Sequence, residues 1–462
     1  MISLSTSSSA LPLAYEPQAW CEDDEESVLL PPGPTARVVS NLRLVTDPIE
    51  ALREWQATYG DTFTVDRMGV PTVMTADRQL IARLHGSGDP DLFAAAVPEP
   101  TDVLLGSRSL LLLSGKQHLR ERKLMMPPFH GERMRGWAVA MAEAGQRAFT
   151  DLGEGDEFRA LDLTQRVTLE VIIRVIFGVD EARVQEFTDA VLDWTDALRS
   201  GFLFLRALQR DFLGLSPYAR YRRARDRVDA LLLDQIARTR AGGGGGTDVL
   251  TGLVEARYDD GSAMDDETIR DHLRTLLFAG HDTTAITLAW AMYFVHRNPA
   301  VAERLRGELA GVDIERSPEL LARLPYLGAV IDETLRMRPI SVDNQRTLRK
   351  PFQLGPWSLP AGAAVCPAVT LLHFHPDYWA EPERFAPERF LGGKPAANTF
   401  MPFGGGVHRC LGAVFARFEA CVVLGTVLRA REFEALDDPR WVRCRGTLGP
   451  DSGVRMGVRA SL

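Results

Sequence analysis

One cysteine lies in a segment suited to thiolate chemistry. The stretch Phe403-Gly-Gly-Gly-Val-His-Arg-Cys410-Leu-Gly-Ala413 contains three consecutive glycines, which let a backbone turn with positive φ or pass close to a bulky group. A helical pattern follows Cys410 and continues to about Arg429, which predicts that Cys410 lies at a helix N-terminus. Backbone N–H groups and the helix dipole there lower the pKa of a thiol and favour the thiolate. Cys410 is therefore the candidate for metal binding or nucleophilic attack.

Three uses of such a thiolate can be compared. A Cys–His nucleophile would make His408 the base, but residues i and i+2 do not ordinarily face each other, and no oxyanion partner is evident. A zinc site needs further Cys or His ligands, and the clustered pair on offer is His373 and His375. The glycine run lacks the GK[ST] ending of a phosphate-binding loop. This leaves a single thiolate ligand to a metal held mostly by another group, for which haem is the obvious carrier.

A second unusual segment lies inside the longest helical pattern, from about Asp265 to Arg297. Acidic residues open this pattern and Pro299 stops it. Much of its second half is apolar on most faces, which predicts a buried helix. Its middle nevertheless reads Ala279-Gly-His-Asp-Thr-Thr-Ala285, and Gly, Asp and Thr are poor helix formers. A polar interruption in a buried helix indicates a functional site.

Two further pairs have helical spacing. Glu333 and Arg336 lie at i and i+3, and His118 and Arg122 lie at i and i+4, so each pair shares one helical face. Haem carries two propionates, so cations are expected near it.

The elements that position these residues are mainly helical. Alternating polarity predicts a β-hairpin over 60–76 and a second β patch over 346–365. Helical periodicity predicts further helices over 132–151, 160–177, 181–200 and 217–240. Residues 1–29, with a Ser-rich start and an acidic run, are predicted to be a disordered tail. The sequence thus predicts a mainly α fold with small β-sheets, in one large domain over residues 30–462.

Composition limits the partners. Of 462 residues, 45% are hydrophobic and 25% charged, which excludes a disordered or fibrous chain. The formal net charge of −9 gives no general attraction to nucleic acid or anionic lipid. No stretch of about 18 uninterrupted apolar residues is present, so no membrane anchor is expected. The odd count of five cysteines, with no CxxC pair, predicts a reducing compartment, the cytoplasm.

Four motifs together resemble the cytochrome P450 family of haem-thiolate monooxygenases, in its soluble bacterial form. They cover the haem loop, the oxygen-activating segment of the central helix, the ExxR helix and its downstream partner: Phe403-x-x-Gly406-x-x-x-Cys410-x-Gly412, Ala279-Gly280-x-Asp282-Thr283-Thr284, Glu333-x-x-Arg336 and Pro387-Glu-Arg389-Phe390. The resemblance extends over about residues 30–462. The stretch from Met125 to Met134 is similar to cyanobacterial and myxobacterial members that act on fatty acids or terpenoids.

The resemblance implies roles for individual residues. Cys410 would ligate the iron of haem b, and Ala279 would contact the haem. The haem propionates would be bound by His118, Arg122, Arg346 and His408. Asp282 would relay protons and Thr283 would position water and oxygen, with Thr284 as the alternative hydroxyl, and Gly280 would let the helix open locally. Glu333, Arg336 and Arg389 would form a buried structural network.

The resemblance also implies an activity. The chain would be a monomeric monooxygenase that inserts one atom of O2 into a small hydrophobic substrate, expected to be a fatty acid or terpenoid. Electrons would come from a separate ferredoxin or flavodoxin with its NAD(P)H reductase, docking near Arg409 and Arg120. Two apolar segments, 104–113 and 201–215, would line the substrate pocket. A haem-thiolate peroxygenase or isomerase and a non-catalytic haem sensor are the alternatives, which the Asp282–Thr283 pair disfavours.

Overall fold

The computed structural model describes residues 29–95, 102–129, 133–198, 211, 214, 216–243, 245–342, 344–444 and 447–461. Its helices are α1 (Arg37–Thr46), α2 (Pro48–Tyr59), α3 (Arg78–His85), α4 (Asp102–Leu105), α5 (Gly115–Met125), α6 (Arg133–Thr150), α7 (Ala160–Val171), α8 (Glu181–Ala197), α9 (Pro217–Ala241), α10 (Val249–Glu255), α11 (Asp266–Arg297), α12 (Pro299–Leu309), α13 (Pro325–Met337), α14 (Val369–Leu372) and α15 (Ala413–Ala430). Its strands are β1 (Thr62–Arg67), β2 (Val70–Thr75), β3 (Glu157–Arg159), β4 (Arg346–Thr347), β5 (Phe352–Leu354), β6 (Trp357–Leu359), β7 (Ala364–Pro367), β8 (Arg431–Ala435), β9 (Trp441–Cys444), β10 (Thr447–Pro450) and β11 (Arg455–Ser461). The mainly α fold with small β-sheets is confirmed. The predicted tail covers residues 1–29, of which residues 1–28 lie outside the described residues.

The central helix α11 organises the core. Its N-cap is Asp265, whose carboxylate accepts a hydrogen bond from the Thr268 backbone N–H at 2.9 Å. At about 1.5 Å per residue it is about 48 Å long. It packs against α7, α9, α13 and α15, and most of its second half is buried. The sequence predicted this helix to within one residue because a cap and a proline mark its ends.

The predicted helix over 160–177 is not one regular helix. The α-helical part α7 ends at Val171, and a π-helical turn, Ile172–Ile176, continues it. Four of the five residues in that turn are buried isoleucine or valine, so the apolar pattern continues while the hydrogen-bond spacing changes. Periodicity alone could not distinguish the two.

The β-sheets are small, with two to four strands each. The predicted hairpin is β1 and β2, which turn at Gly69 with φ +90°. These strands join β7 and β4 in a sheet of order β1-β2-β7-β4, in which β7 runs parallel to β2. The sheet of β3, β11 and β8 was not predicted, because short strands far apart in sequence form it.

A buried ion network fixes the C-terminal half of the chain. Arg336 and Glu333 of α13 are both fully buried and form two hydrogen bonds, at 2.7 and 2.9 Å. Arg389 donates to the same carboxylate at 3.1 Å. Arg336 also donates to the His373 carbonyl at 2.8 Å and lies between the rings of Phe374 and Trp379. The segment that leads to the cysteine loop is thereby tied to α13, as the motifs implied.

Among the described helices, none combines the length with the apolar character that crossing a lipid bilayer requires.

The buried network predicts that two Arg→Ala substitutions differ greatly in their effect on the free energy of unfolding. Arg336→Ala strands the buried Glu333 carboxylate and should lower the free energy of unfolding by about 3–5 kcal/mol. Glu381 and Arg384 have the same Glu-x-x-Arg spacing at 3.1 Å but are 70% and 67% exposed, so Arg384→Ala is the matched control and should change little. Denaturant unfolding of both variants tests this; equal losses would show that burial of the network is not what stabilises this region.

Candidate active site

The cysteine loop is held in shape by its own backbone. The Cys410 N–H donates to the Phe403 carbonyl at 2.9 Å, which closes the loop on itself. Gly404 and Gly406 have φ of +67° and +63°, which side-chain-bearing residues rarely adopt. The His85 ring packs so closely on Gly405 that a Cβ there would lie 2.4 Å from it. The glycines are therefore required by both conformation and packing.

The Cys410 thiol is accessible to solvent yet surrounded by protein on most sides. Burial raises the pKa of the Cys410 thiol, although the Gly412 N–H and the cations Arg122 and Arg409 act to lower it. The prediction of a lowered pKa from the helix N-terminus is thus wrong for this state. Helix α15 begins three residues later, at Ala413, and desolvation outweighs the dipole. A metal ion bound here would favour the thiolate.

Two arginines and two histidines, called the cation cluster below, converge on this loop from separate elements. His118 and Arg122 lie on α5, Arg346 lies on β4, and His408 lies in the cysteine loop. The rings of His118 and His408 are 4.2 Å apart. Burial and the neighbouring cations lower the pKa of His118 to about 4 and that of His408 to about 3. The structure therefore brings all four predicted propionate ligands together beside Cys410.

Three members of this group, Arg122, His118 and His408, have no carboxylate partner within the described part of the protein. The pKa of Arg122 is lowered by burial. A group that carries two carboxylates and a metal would supply anions for these side chains and a cation for the thiolate. The donor set thus fits haem.

The nucleophile and zinc alternatives do not fit. With its pKa lowered to about 3, the His408 imidazole is a poor general base at neutral pH. His373 is fully buried and uses both ring nitrogens, on the Arg336 carbonyl and the Met401 N–H. His375 instead binds Asp61 at 3.1 Å.

His85 is a member of the cluster that the sequence did not single out. It ends α3 and lines a cleft with Arg346 and the 405–408 segment. Burial and Arg346 lower the pKa of its imidazole. A lone histidine at a helix end carries no motif, so no sequence signal could identify it.

Helix α5 is also joined to α11 through a buried carboxylate. Glu121, adjacent to Arg122, accepts from the Tyr258 hydroxyl at 2.9 Å and lies 3.3 Å from His272 of α11. This buried contact fixes the face on which Arg122 points.

The polar segment of α11 presents one accessible face. Phe278 is 43% exposed and Ala279 is exposed, although most of the following turns are buried. Asp282 and Thr283 are partly exposed on the next turn, whereas Thr284 is buried. Ala279, Asp282 and Thr283 thus share a face, and Thr284 does not.

Helix α11 is continuous through Gly280, so the expected local opening is not present in this structure. The Thr283 hydroxyl donates to the Ala279 carbonyl at 2.7 Å, and a Cβ at Gly280 would meet Ile172 at an ordinary 3.4 Å. Because the hydroxyl hydrogen of Thr283 is used in this bond, the Thr283 oxygen can only accept a hydrogen bond from a water molecule.

The first apolar segment, 104–113, is largely core. Leu104, Leu105, Leu110 and Leu113 are buried, and Ser109 and Thr275 of α11 form a hydroxyl–hydroxyl hydrogen bond at 2.7 Å. Most of the second segment, 201–215, including Phe202, Phe204 and Phe212, lies outside the described residues.

Known proteins share this chain's sequence and fold. A family model described as Cytochrome P450 matches residues 31–448. The Mycobacterium tuberculosis protein "Putative cytochrome P450 138" is 34% identical over 408 residues, which cover 87% of this chain and 89% of that protein. "Putative cytochrome P450 135B1" of the same organism is 33% identical over 451 residues, 94% of this chain and 92% of the relative. A solved structure, "Retinoic acid bound cyanobacterial CYP120A1", has a TM-score of 0.81 at 24% identity and covers 94% of this chain and 100% of its own.

The cation cluster predicts how firmly haem is held. Arg122→Leu should speed haem loss to apomyoglobin by about tenfold or more, the equivalent of one hydrogen bond to a charged group. Arg120→Leu is the control, because Arg120 on the same helix is 53% exposed and pairs with Asp260. Indistinguishable rates for the two variants would show that Arg122 does not bind the haem.

Proposed function

Because this chain belongs to the cytochrome P450 family, whose members are haem-dependent monooxygenases, we propose that it hydroxylates an apolar, chain-like substrate such as a fatty acid or terpenoid. The observation that carries the proposal is the cation cluster beside one accessible thiol, together with an acid–alcohol pair on the exposed face of α11. The haem, when bound, supplies the activation of O2 for insertion into a C–H bond. The protein residues supply ligation, orientation and protons.

We propose haem b, held by Cys410 on the iron and by His118, Arg122, Arg346 and His408 on the propionates. The chain lacks a CxxC pair, which supports a haem that is not attached through thioethers. Ala279 is proposed to contact the haem face, because it is the exposed small residue on the polar segment of α11.

The acid–alcohol pair is proposed to deliver protons. The Asp282 side chain is 32% exposed, so it can exchange protons with water, and Thr283 can hold a water through its free lone pairs. A peroxygenase has no need of such delivery, nor does an isomerase or a sensor. The pair therefore favours use of O2 with external electrons.

The proposed electron donor is a separate ferredoxin or flavodoxin with its NAD(P)H reductase. A groove on the cysteine face is lined by Arg409 among apolar residues including Phe403, which suits an acidic partner. Arg417 lines the same groove, but Asp332 pairs with it at 2.8 Å. Arg120 is less available than the sequence implied, because it pairs with Asp260 and stacks on Tyr258. Arg409 is thus the better docking residue.

The substrate class rests on two supports. The similarity between residues 125–134 and fatty-acid or terpenoid hydroxylases is one. The other is that the cyanobacterial structure of the same fold is described as retinoic acid bound, an apolar terpenoid acid. We propose a monomer in the cytoplasm, a location supported by the free thiols Cys366, Cys410 and Cys421.

The function is tested with haem-loaded protein, a surrogate ferredoxin and reductase, and NADPH under ¹⁸O2, with retinoic acid and dodecanoic acid as probes. We expect a product that carries one ¹⁸O atom with at least one probe, and dependence on NADPH. A parallel reaction with hydrogen peroxide and no reductant separates the alternatives. Turnover with hydrogen peroxide but none with NADPH and O2 would indicate a peroxygenase. A spin-state shift without any product would indicate a sensor. Either result would contradict the proposal.

A further inference from the structure

The interface between α7 and α11 is built around the acid of the polar segment. The Gln165 side-chain amide donates to Asp282 Oδ1 at 2.7 Å. On either side of it, Thr168 donates to the His281 carbonyl and Thr164 donates to the Ala285 carbonyl, both at 3.0 Å. One face of α7 therefore binds consecutive turns of α11 along the polar segment of α11.

Gln165 makes a second contact through its backbone. Its carbonyl oxygen lies 3.0 Å from His281 Nε2, and a carbonyl can only accept, so Nε2 carries the hydrogen. The other ring nitrogen, Nδ1, then faces Asp282 Oδ1 at 3.7 Å. A single residue of α7 thus fixes both the carboxylate and its neighbouring imidazole.

The chemistry of the amide suits a proton relay. The amide of Gln165 orients the carboxylate through a hydrogen bond without placing a charge beside it. Thr164 and Thr168 are buried, so the helix that carries Gln165 is closely packed against α11. The Asp282 side chain meanwhile stays 32% exposed on the face it shares with Ala279 and Thr283.

We propose that Gln165 is a positioning residue for oxygen activation, which holds the Asp282 carboxylate in the orientation that delivers protons beside Thr283. The proposal deepens the proposed function and rests on it. It assigns a role in the reaction to a residue 117 positions before the acid it orients.

The test compares three variants of the haem-loaded protein. Gln165→Leu removes the donor at similar size, and Gln165→Glu keeps the shape but places a carboxylate against Asp282. Thr164→Val is the matched control, because it removes a hydrogen bond across the same helix pair without touching Asp282. All three should keep the reduced carbon-monoxide spectrum, and their thermal unfolding midpoints show whether folding is intact.

The readouts are NADPH-driven turnover with the probe that gives product, NADPH oxidation without any probe together with the hydrogen peroxide that it forms, and the solvent isotope effect on both. In the two Gln165 variants, turnover should fall by about tenfold to a hundredfold, as for a misplaced proton donor. The solvent isotope effect should rise and more electrons should appear as hydrogen peroxide. Thr164→Val should match the wild type in all three measurements.

Two failures are distinguishable. A wild type that consumes no O2 with NADPH would overturn the proposed function and this inference with it. A wild type that makes labelled product, with Gln165→Leu equal to it in turnover, isotope effect and peroxide yield, would overturn the role of Gln165 alone. A parallel loss in Thr164→Val would show that the interface matters only for packing.

Discussion

Positive charge gathered beside one thiol is the constraint on which the rest of the structure depends. Arg122, Arg346, His118 and His408 come from three separate elements, and burial together with the neighbouring arginines lowers the pKa of both imidazoles. Such an arrangement is unfavourable unless an anionic ligand completes it. The fold must therefore hold these elements in place against electrostatic repulsion. The buried polar contacts of the protein lie at positions where they hold these elements.

Those buried polar contacts form two groups. On the cysteine side, the Glu333–Arg336–Arg389 network and His373 fix the segment that leads into the loop. On the α11 side, Glu121 with Tyr258 and His272 fixes α5. Both are fully or nearly fully buried, so loss of one partner strands a charge or a polar group.

Local signals predicted much of this arrangement from the sequence. The ends of α11, the hairpin β1–β2 and the cysteine loop are set by caps, prolines and glycines that act within a few residues. Properties that depend on tertiary contact were missed or wrong. The direction in which the pKa of the Cys410 thiol shifts depends on how much protein surrounds the thiol. The contacts of Gln165 and His85 join distant parts of the chain. The sheet of β3, β8 and β11 was missed for the same reason.

Ligation of the haem iron by Cys410 is the central claim, and the reduced carbon-monoxide difference spectrum tests it most directly. The wild type should show the long-wavelength Soret band of a thiolate ligand. Cys410→Ala should lose that band, and Cys410→His, which offers a replacement ligand, should retain haem with a band at shorter wavelength. Cys421→Ala, a buried thiol on α15, should keep the wild-type spectrum. A thiolate-type band that persists in both Cys410 variants would contradict the account.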